Sequence, residues 1–114
     1  MNGILMNSFE KKNVVITGAS RGIGLSIAKK LAQNGANIAI LAKTDTPHPK
    51  LPGTIYTASK EIESLGVKSI PIKTDIRFDD QVEKAIKKVI DELGSIDILI
   101  NNASAINLLT QSHT

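Results

Sequence analysis

Residues 13–24 read NVVITGASRGIG. Residues 13–17 are rich in β-branched side chains, the composition of a buried strand. The run then breaks into Gly18, Gly22 and Gly24, with Ala19, Ser20, Arg21 and Ile23 between them. Beyond the glycines, Ile23, Ile27 and Leu31 recur at four-residue spacing and Asn34-Gly35 supplies a stop, which predicts an amphipathic helix over 22–34. A strand that passes through a glycine turn onto a helix N-terminus can hold an anion. The first turn of a helix has amide N–H groups without intrahelical partners and carries a partial positive charge. Glycines let a pyrophosphate approach without meeting a Cβ. Three glycines alone fit a mere tight turn; the strand before them and the helix after them point to a nucleotide site.

The rest of the composition narrows the function classes. At 114 residues the chain is read as one domain with a single core. No apolar run reaches membrane-spanning length, and residues 1–12 lack the basic and long apolar regions of a secretory signal, so the expected compartment is cytoplasmic, with an organellar matrix left open. There are no cysteines, which excludes disulfides and thiolate metal sites, and His48 and His113 have no partner at ligand spacing. A net charge of +3 and a pI near 9.3 raise the question of nucleic-acid binding. The lysines, however, are spread among acids, and pairs such as Lys29-Lys30 and Lys87-Lys88 suit solvated helix faces. Aromatic residues at 3% are too few for a base-stacking platform.

Along the chain, strands and helices are expected to alternate. Residues 1–12 read as an irregular lead-in. A second strand is predicted at 37–42 (NIAILA), followed by a loop over 43–53, where Pro47, Pro49 and Pro52 exclude helix and central strand. Ile55, Ala58, Ile62 and Leu65 mark a helix over 54–65 that Gly66 stops. A third strand at 68–74 contains Pro71 and therefore belongs at a sheet edge. From Asp79 onward Val82, Ala85, Ile86, Val89, Ile90 and Leu93 form an apolar stripe, a helix over 80–93 with Asp80 and Glu83 as its capping box, Lys87-Lys88 toward its far end and Gly94 as its stop. A fourth strand at 97–100 (DILI) leads to Asn101 and Asn102, and residues 105–114 read as a tail. Such alternation implies an α/β fold: a Rossmann-like, doubly wound parallel sheet with strand order 3-2-1-4. Helices 22–34 and 54–65 would cover one face and helix 80–93 the other.

TGASRGIG at 17–24 together with NNAS at 101–104 resembles the short-chain dehydrogenase/reductase family. Within it, AKTDTPHPKLPGTIYTA at 42–58 is similar to the hydroxysteroid dehydrogenase-like proteins. The resemblance covers about residues 11 to 109. It implies that Gly18, Gly22 and Gly24 admit the pyrophosphate of a nicotinamide dinucleotide, with Ala19, Ser20, Arg21 and Ile23 lining the turn. It further implies that Asp75 and Ile76 meet the adenine, that Asn102, Ala103 and Ser104 border the adenosine ribose, and that Asn101 braces the sheet. Ser104 departs from the glycine usual at that place in the family.

The cofactor choice rests on charge. An NAD site of this kind places an acid at the end of the second strand, to accept the ribose 2′-hydroxyl. Here that strand ends Ala42-Lys43-Thr44, and Arg21 stands in the glycine turn. Two cations favour the 2′-phosphate of NADP. Asp45 supports the rival reading, NAD, and Lys43 could equally be a solvated loop lysine.

The family's chemistry uses a Tyr-x-x-x-Lys pair, a serine and a further asparagine, all beyond the fourth strand. Tyr56 and Lys60 match the string, but on a helix between the second and third strands, which leads away from the nicotinamide; they are read as non-catalytic. No catalytic or metal residue is therefore assigned. The expectation is a single truncated NAD(P)-binding domain over 1–114: a fragment, a truncated gene product or half of a split enzyme. Its fourth strand would form an exposed edge open to self-association or to a complementing C-terminal half. Two functions compete, the NADP(H)-binding portion of an oxidoreductase and a non-catalytic nucleotide- or partner-binding module. Neither nucleic acid nor membrane is an expected partner.

Overall fold

The computed structural model describes residues 9–19, 22–43 and 53–102. Within them, strands β1 (Asn13–Thr17), β2 (Asn37–Ala42), β3 (Ser69–Lys73) and β4 (Ile98–Ile100) alternate with helices α1 (Gly22–Gln33), α2 (Ile55–Glu63) and α3 (Asp79–Leu93). The strands form one parallel sheet in the order β3-β2-β1-β4. This is the expected topology. Pro71 stands opposite Ile40 on the edge strand β3, where a missing N–H is tolerated.

The central strands are apolar on both sides because both of their faces are covered. Val14 and Ile16 of β1 and Ile38, Ile40 and Ala42 of β2 pack with Ala28, Ala32, Ile55, Ala58 and Ile62 from α1 and α2. Val15, Ala39 and Leu41 point the other way, onto Ala85 and Val89 of α3. Period-two alternation within an unbroken apolar run thus feeds two cores at once.

Helix details depart from the sequence expectations in instructive ways. The buried positions of α1 are Gly24, Ala28 and Ala32, one residue on from the expected Ile23-Ile27-Leu31 stripe. Small residues let the helix approach the sheet closely, so Ile27 and Leu31 pack on its flanks, while Ile23 is 74% exposed. On α3, Ile90 is exposed although it belongs to the periodic stripe, and Leu65 lies beyond α2 on the surface. The Asp80–Glu83 capping box is not formed: the N-cap of α3 is Phe78, which has no side-chain acceptor. Nor does the last turn of α3 carry a cation. The capping box is instead at α2, where Thr54 Oγ1 accepts from the Thr57 amide at 3.2 Å and the Thr54 amide donates to Thr57 Oγ1 at 2.9 Å.

A polar clasp closes the N-terminal edge of the sheet. The Asn13 side-chain amide donates to Leu93 O at 3.2 Å and to Ser95 Oγ at 3.3 Å, and its oxygen accepts from Asn37 Nδ2 at 3.0 Å. Asn37 Oδ1 accepts from the Lys68 amide at 3.1 Å, and Asp97 Oδ2 from the Asn13 amide at 2.8 Å. One asparagine thereby joins the starts of β1 and β2 to the end of α3.

Candidate functional site

Parallel strands all end at the same edge, and the residues singled out from the sequence collect there. The β1–β2 ladder continues one step past Thr17, with the Gly18 amide donating to Leu41 O at 2.9 Å. The β2–β3 ladder continues likewise, the Thr74 amide donating to Ala42 O at 2.8 Å. These two bonds set Gly18, Lys43 and Asp75 along one rim.

The glycine turn is built for close approach. Gly18 and Gly22 have φ of +72° and +66°, a backbone region that L side chains seldom adopt. A Cβ on Gly22 would have none of the described residues within 4 Å, and both Gly22 and Ile23 are exposed. Gly24 is the opposite case. A Cβ there would come to 2.7 Å from Gly18 O and 2.7 Å from Asn102 Nδ2, so only glycine lets α1 start this close to β1 and β4. Ala19 is buried beneath the turn.

Two hydrogen bonds tie β4 to the turn. Asn102 Nδ2 donates to Gly18 O at 3.3 Å, and Thr17 Oγ1 donates to Asn101 Oδ1 at 3.0 Å. Asn101 and Asn102 therefore reach across the sheet edge and set the position of the loop that leads into α1.

Beyond β3 the chain folds into a tight, charged turn. Asp75 Oδ1 accepts from the Arg77 amide at 3.1 Å and from Arg77 Nε at 3.0 Å, while Oδ2 accepts from Arg77 Nη2 at 2.7 Å. This fork, with a smaller contribution from the charge of Lys43, lowers the Asp75 pKa from 3.8 to about 2; partial desolvation opposes it. The same pair raises the Arg77 pKa. Ile76, between them, lines a cavity of about 460 Å³ with Thr17, Leu41, Val82, Ile86 and Leu99, on the α3 face of the sheet.

The structure thus brings together Gly18, Ala19, Gly22, Ile23, Gly24, Lys43, Asp75, Ile76 and Asn102. Ser20, Arg21, Asp45, Ala103 and Ser104 lie outside the described residues. Tyr56 and Lys60 sit on α2, both exposed, on the helix that covers the β2 side of the sheet. Sequence reasoning did not single out Thr17, Arg77 or Gln81, whose Oε1 accepts from the Asp75 amide at 2.8 Å. The Asp-x-Arg spacing was the available signal, since an aspartate often accepts from the amide two residues on.

Comparison with known proteins agrees with this geometry. The family model described as short chain dehydrogenase matches residues 12–114. Hydroxysteroid dehydrogenase-like protein 2 of Danio rerio is 59% identical over 95 residues, covering 83% of this chain and 23% of that protein. A short chain dehydrogenase from Mycobacterium thermoresistibile superposes with a TM-score of 0.80 at 54% identity, over 82% of this chain and 34% of the other. Carveol dehydrogenase from Mycobacterium avium, solved in complex with NAD, superposes with a TM-score of 0.70 at 27% identity, over 82% of this chain and 35% of that one. The chain spans about a quarter of the length of the curated relative and about a third of the solved structures. With its nucleotide-binding architecture in place at the strand ends, the chain belongs to the short-chain dehydrogenase family.

Proposed function

We propose that these residues form the NADP(H)-binding portion of a short-chain oxidoreductase acting on a carbonyl or alcohol substrate. The observation that supports this reading is the start of α1, where Gly22 and Ile23 are exposed and a Cβ on Gly22 would meet none of the described residues, leaving the helix's first amides facing outward toward a diphosphate. The residues fit the cofactor: Gly18, Gly22 and Gly24 would admit the pyrophosphate with Ser20, Arg21 and Ile23 around it. Asp75 and Ile76 would meet the adenine, and Asn102, Ala103 and Ser104 the adenosine ribose. When bound, the nicotinamide supplies the hydride acceptor or donor. The residues of this chain bind and orient it; the groups that move a proton at the substrate oxygen are not among residues 1–114 in this reading. Tyr56 and Lys60, out on α2, take no part.

Lys43 decides the cofactor preference in this proposal. It is exposed at the end of β2, where an NAD-specific site would carry an acid, and its charge reaches Asp75. Relatives in this fold are solved with NAD, which makes the preference worth a direct test. Titrating the protein with NADPH and NADH should show tighter binding of NADPH. Lys43→Glu should weaken NADPH roughly tenfold and leave NADH nearly unchanged, the loss of one charge-assisted phosphate contact. Equal losses for both cofactors would contradict the assignment. Tyr56→Phe should change neither affinity.

A second reading, a partner-binding module, draws on one observation. Leu99 is 60% exposed on the edge strand β4 and lines the cavity beside α3. A protein that forms a stable complex through this edge without binding either dinucleotide would favour it.

A further inference from the structure

The far end of α1 joins a side chain and a backbone amide that can react with each other. Asn34 Nδ2 donates to Lys30 O at 2.9 Å and the Gly35 amide donates to Ala32 O at 3.0 Å, so this pair caps carbonyls of the last turn. Gly35 has φ of +94°, and a Cβ on it would come to 2.8 Å from Glu10 Cα. The fold therefore requires glycine after Asn34. That requirement has a chemical consequence, because glycine has no side chain to shield its amide nitrogen from the carboxamide just before it. Both residues are only half-buried, within reach of water. The other described asparagines, Asn13, Asn37, Asn101 and Asn102, all precede residues that carry side chains: Val14, Ile38, Asn102 and Ala103.

We propose that Asn34-Gly35 is a site of spontaneous backbone modification, held closed by the last turn of α1. The Gly35 nitrogen, on losing its proton, attacks Asn34 Cγ. The new N–C bond closes a cyclic imide, the Cγ–Nδ2 bond breaks, and the nitrogen leaves as ammonia after taking up a proton. Water then opens the ring at either imide carbonyl. Opening at Cγ leaves aspartate at 34; opening at the main-chain carbonyl leaves an isoaspartyl linkage, with an extra methylene in the backbone. In the folded chain both reactants are engaged. The Nδ2 bond draws the carboxamide back along the helix toward Lys30, and the amide proton that must leave is the one given to Ala32 O. Reaction therefore follows local opening of that turn. The product falls where the lead-in, α1 and β2 meet. Gly35 O accepts from the Lys11 amide at 3.1 Å, the Ala36 amide donates to Leu31 O at 3.1 Å, and the Asn37 amide donates to Lys12 O at 2.8 Å. An isoaspartyl linkage shifts Gly35 against these partners and removes the Nδ2 donor, and it sets a carboxylate at the negative end of the helix.

Peptide mapping by mass spectrometry, with aspartyl and isoaspartyl products separated, tests this on the 114-residue chain incubated at mildly alkaline pH, folded and unfolded in urea. In the folded chain Asn34 should convert ahead of Asn13, Asn37, Asn101 and Asn102. In the unfolded chain it should convert about tenfold faster, the scale of the hydrogen bonds released. Lys30→Gly alters an exposed side chain and keeps the carbonyl that Asn34 caps. By loosening the turn it should speed conversion in the folded chain about threefold and leave the unfolded rate unchanged. Earlier conversion of another of these asparagines would overturn the assignment. So would absence of product at Asn34 in the folded chain long after the unfolded chain has converted. Equal rates in the folded and unfolded chains, or a Lys30→Gly rate equal to that of the unaltered protein, would overturn the role of the turn.

Discussion

Gly24 is the residue on which the geometry is least forgiving. Its missing side chain is replaced by backbone, Gly18 O at 2.7 Å, so Gly24→Ala must push α1 away from β1. The expected result is a stability loss of about 1–3 kcal/mol, the usual scale of overpacking, together with loss of dinucleotide binding. Gly22→Ala makes a useful contrast. Among the described residues it meets no neighbour, so the expected cost is that of the positive φ, about 1–2 kcal/mol. Urea denaturation and cofactor titration of the two variants would separate crowding from backbone strain. Asn13 is the residue whose importance the sequence concealed. It is buried, and Asn13→Ala should cost about 1–3 kcal/mol because Asn37 and the end of α3 lose their partner. Asp75 sets a pH signature. Its folded pKa of about 2 lies below the usual value of 3.8, so its ion pair favours the folded state above about pH 4. That contribution should fade as pH falls from about 4 through about 2. The denaturation midpoints of the protein and of Asp75→Asn should therefore converge over that range.

At the scale of elements, the sequence was most legible where composition and topology agreed. The β-branched run at 13–17, the alternation of apolar segments and the proline in β3 were enough to place each described strand, down to Pro71 on an edge. The helices were legible in position but less so in facing. On α1 the bulkiest apolar residues drew the eye, yet the sheet is met by Gly24, Ala28 and Ala32, because close approach of a helix favours small side chains. Capping likewise follows the local turn rather than residue spacing. Asp80 and Glu83 have the right spacing, but the turn that precedes α3 is organised from Asp75, three residues ahead of the N-cap. Thr54 and Thr57, at the end of a proline-rich loop, form the reciprocal cap instead. Thr54→Ala should lower stability by about 1 kcal/mol, measurable by thermal or urea denaturation. The geometry at the strand ends was legible in Gly18, Gly22 and Gly24, whose positive φ or close approach the turn requires, and in Asn102, which bonds Gly18 O. The Arg77 fork was not, since an Asp-x-Arg spacing is common in turns that do nothing further.

For the whole molecule, the decisive feature is that the strands finish along one rim while apolar residues fill the sheet on both sides. Open α/β sheets take their ligands outside the carboxyl ends of the strands, and this rim lies clear of the two apolar cores. Among the described residues, Leu99 of β4 is 60% exposed and lines the cavity beside α3. Among the described residues no helix is long and apolar enough to cross a membrane. The central claim is that the glycine turn admits the diphosphate of a nicotinamide dinucleotide to the first amides of α1, the Gly18 amide being held by Leu41 O. Amide chemical shifts of isotope-labelled protein, followed while NADPH is added, test it most directly. The account predicts saturable shifts centred on Gly18, Gly22, Ile23 and Gly24; shifts confined to other parts of the chain, or none at all, would contradict it.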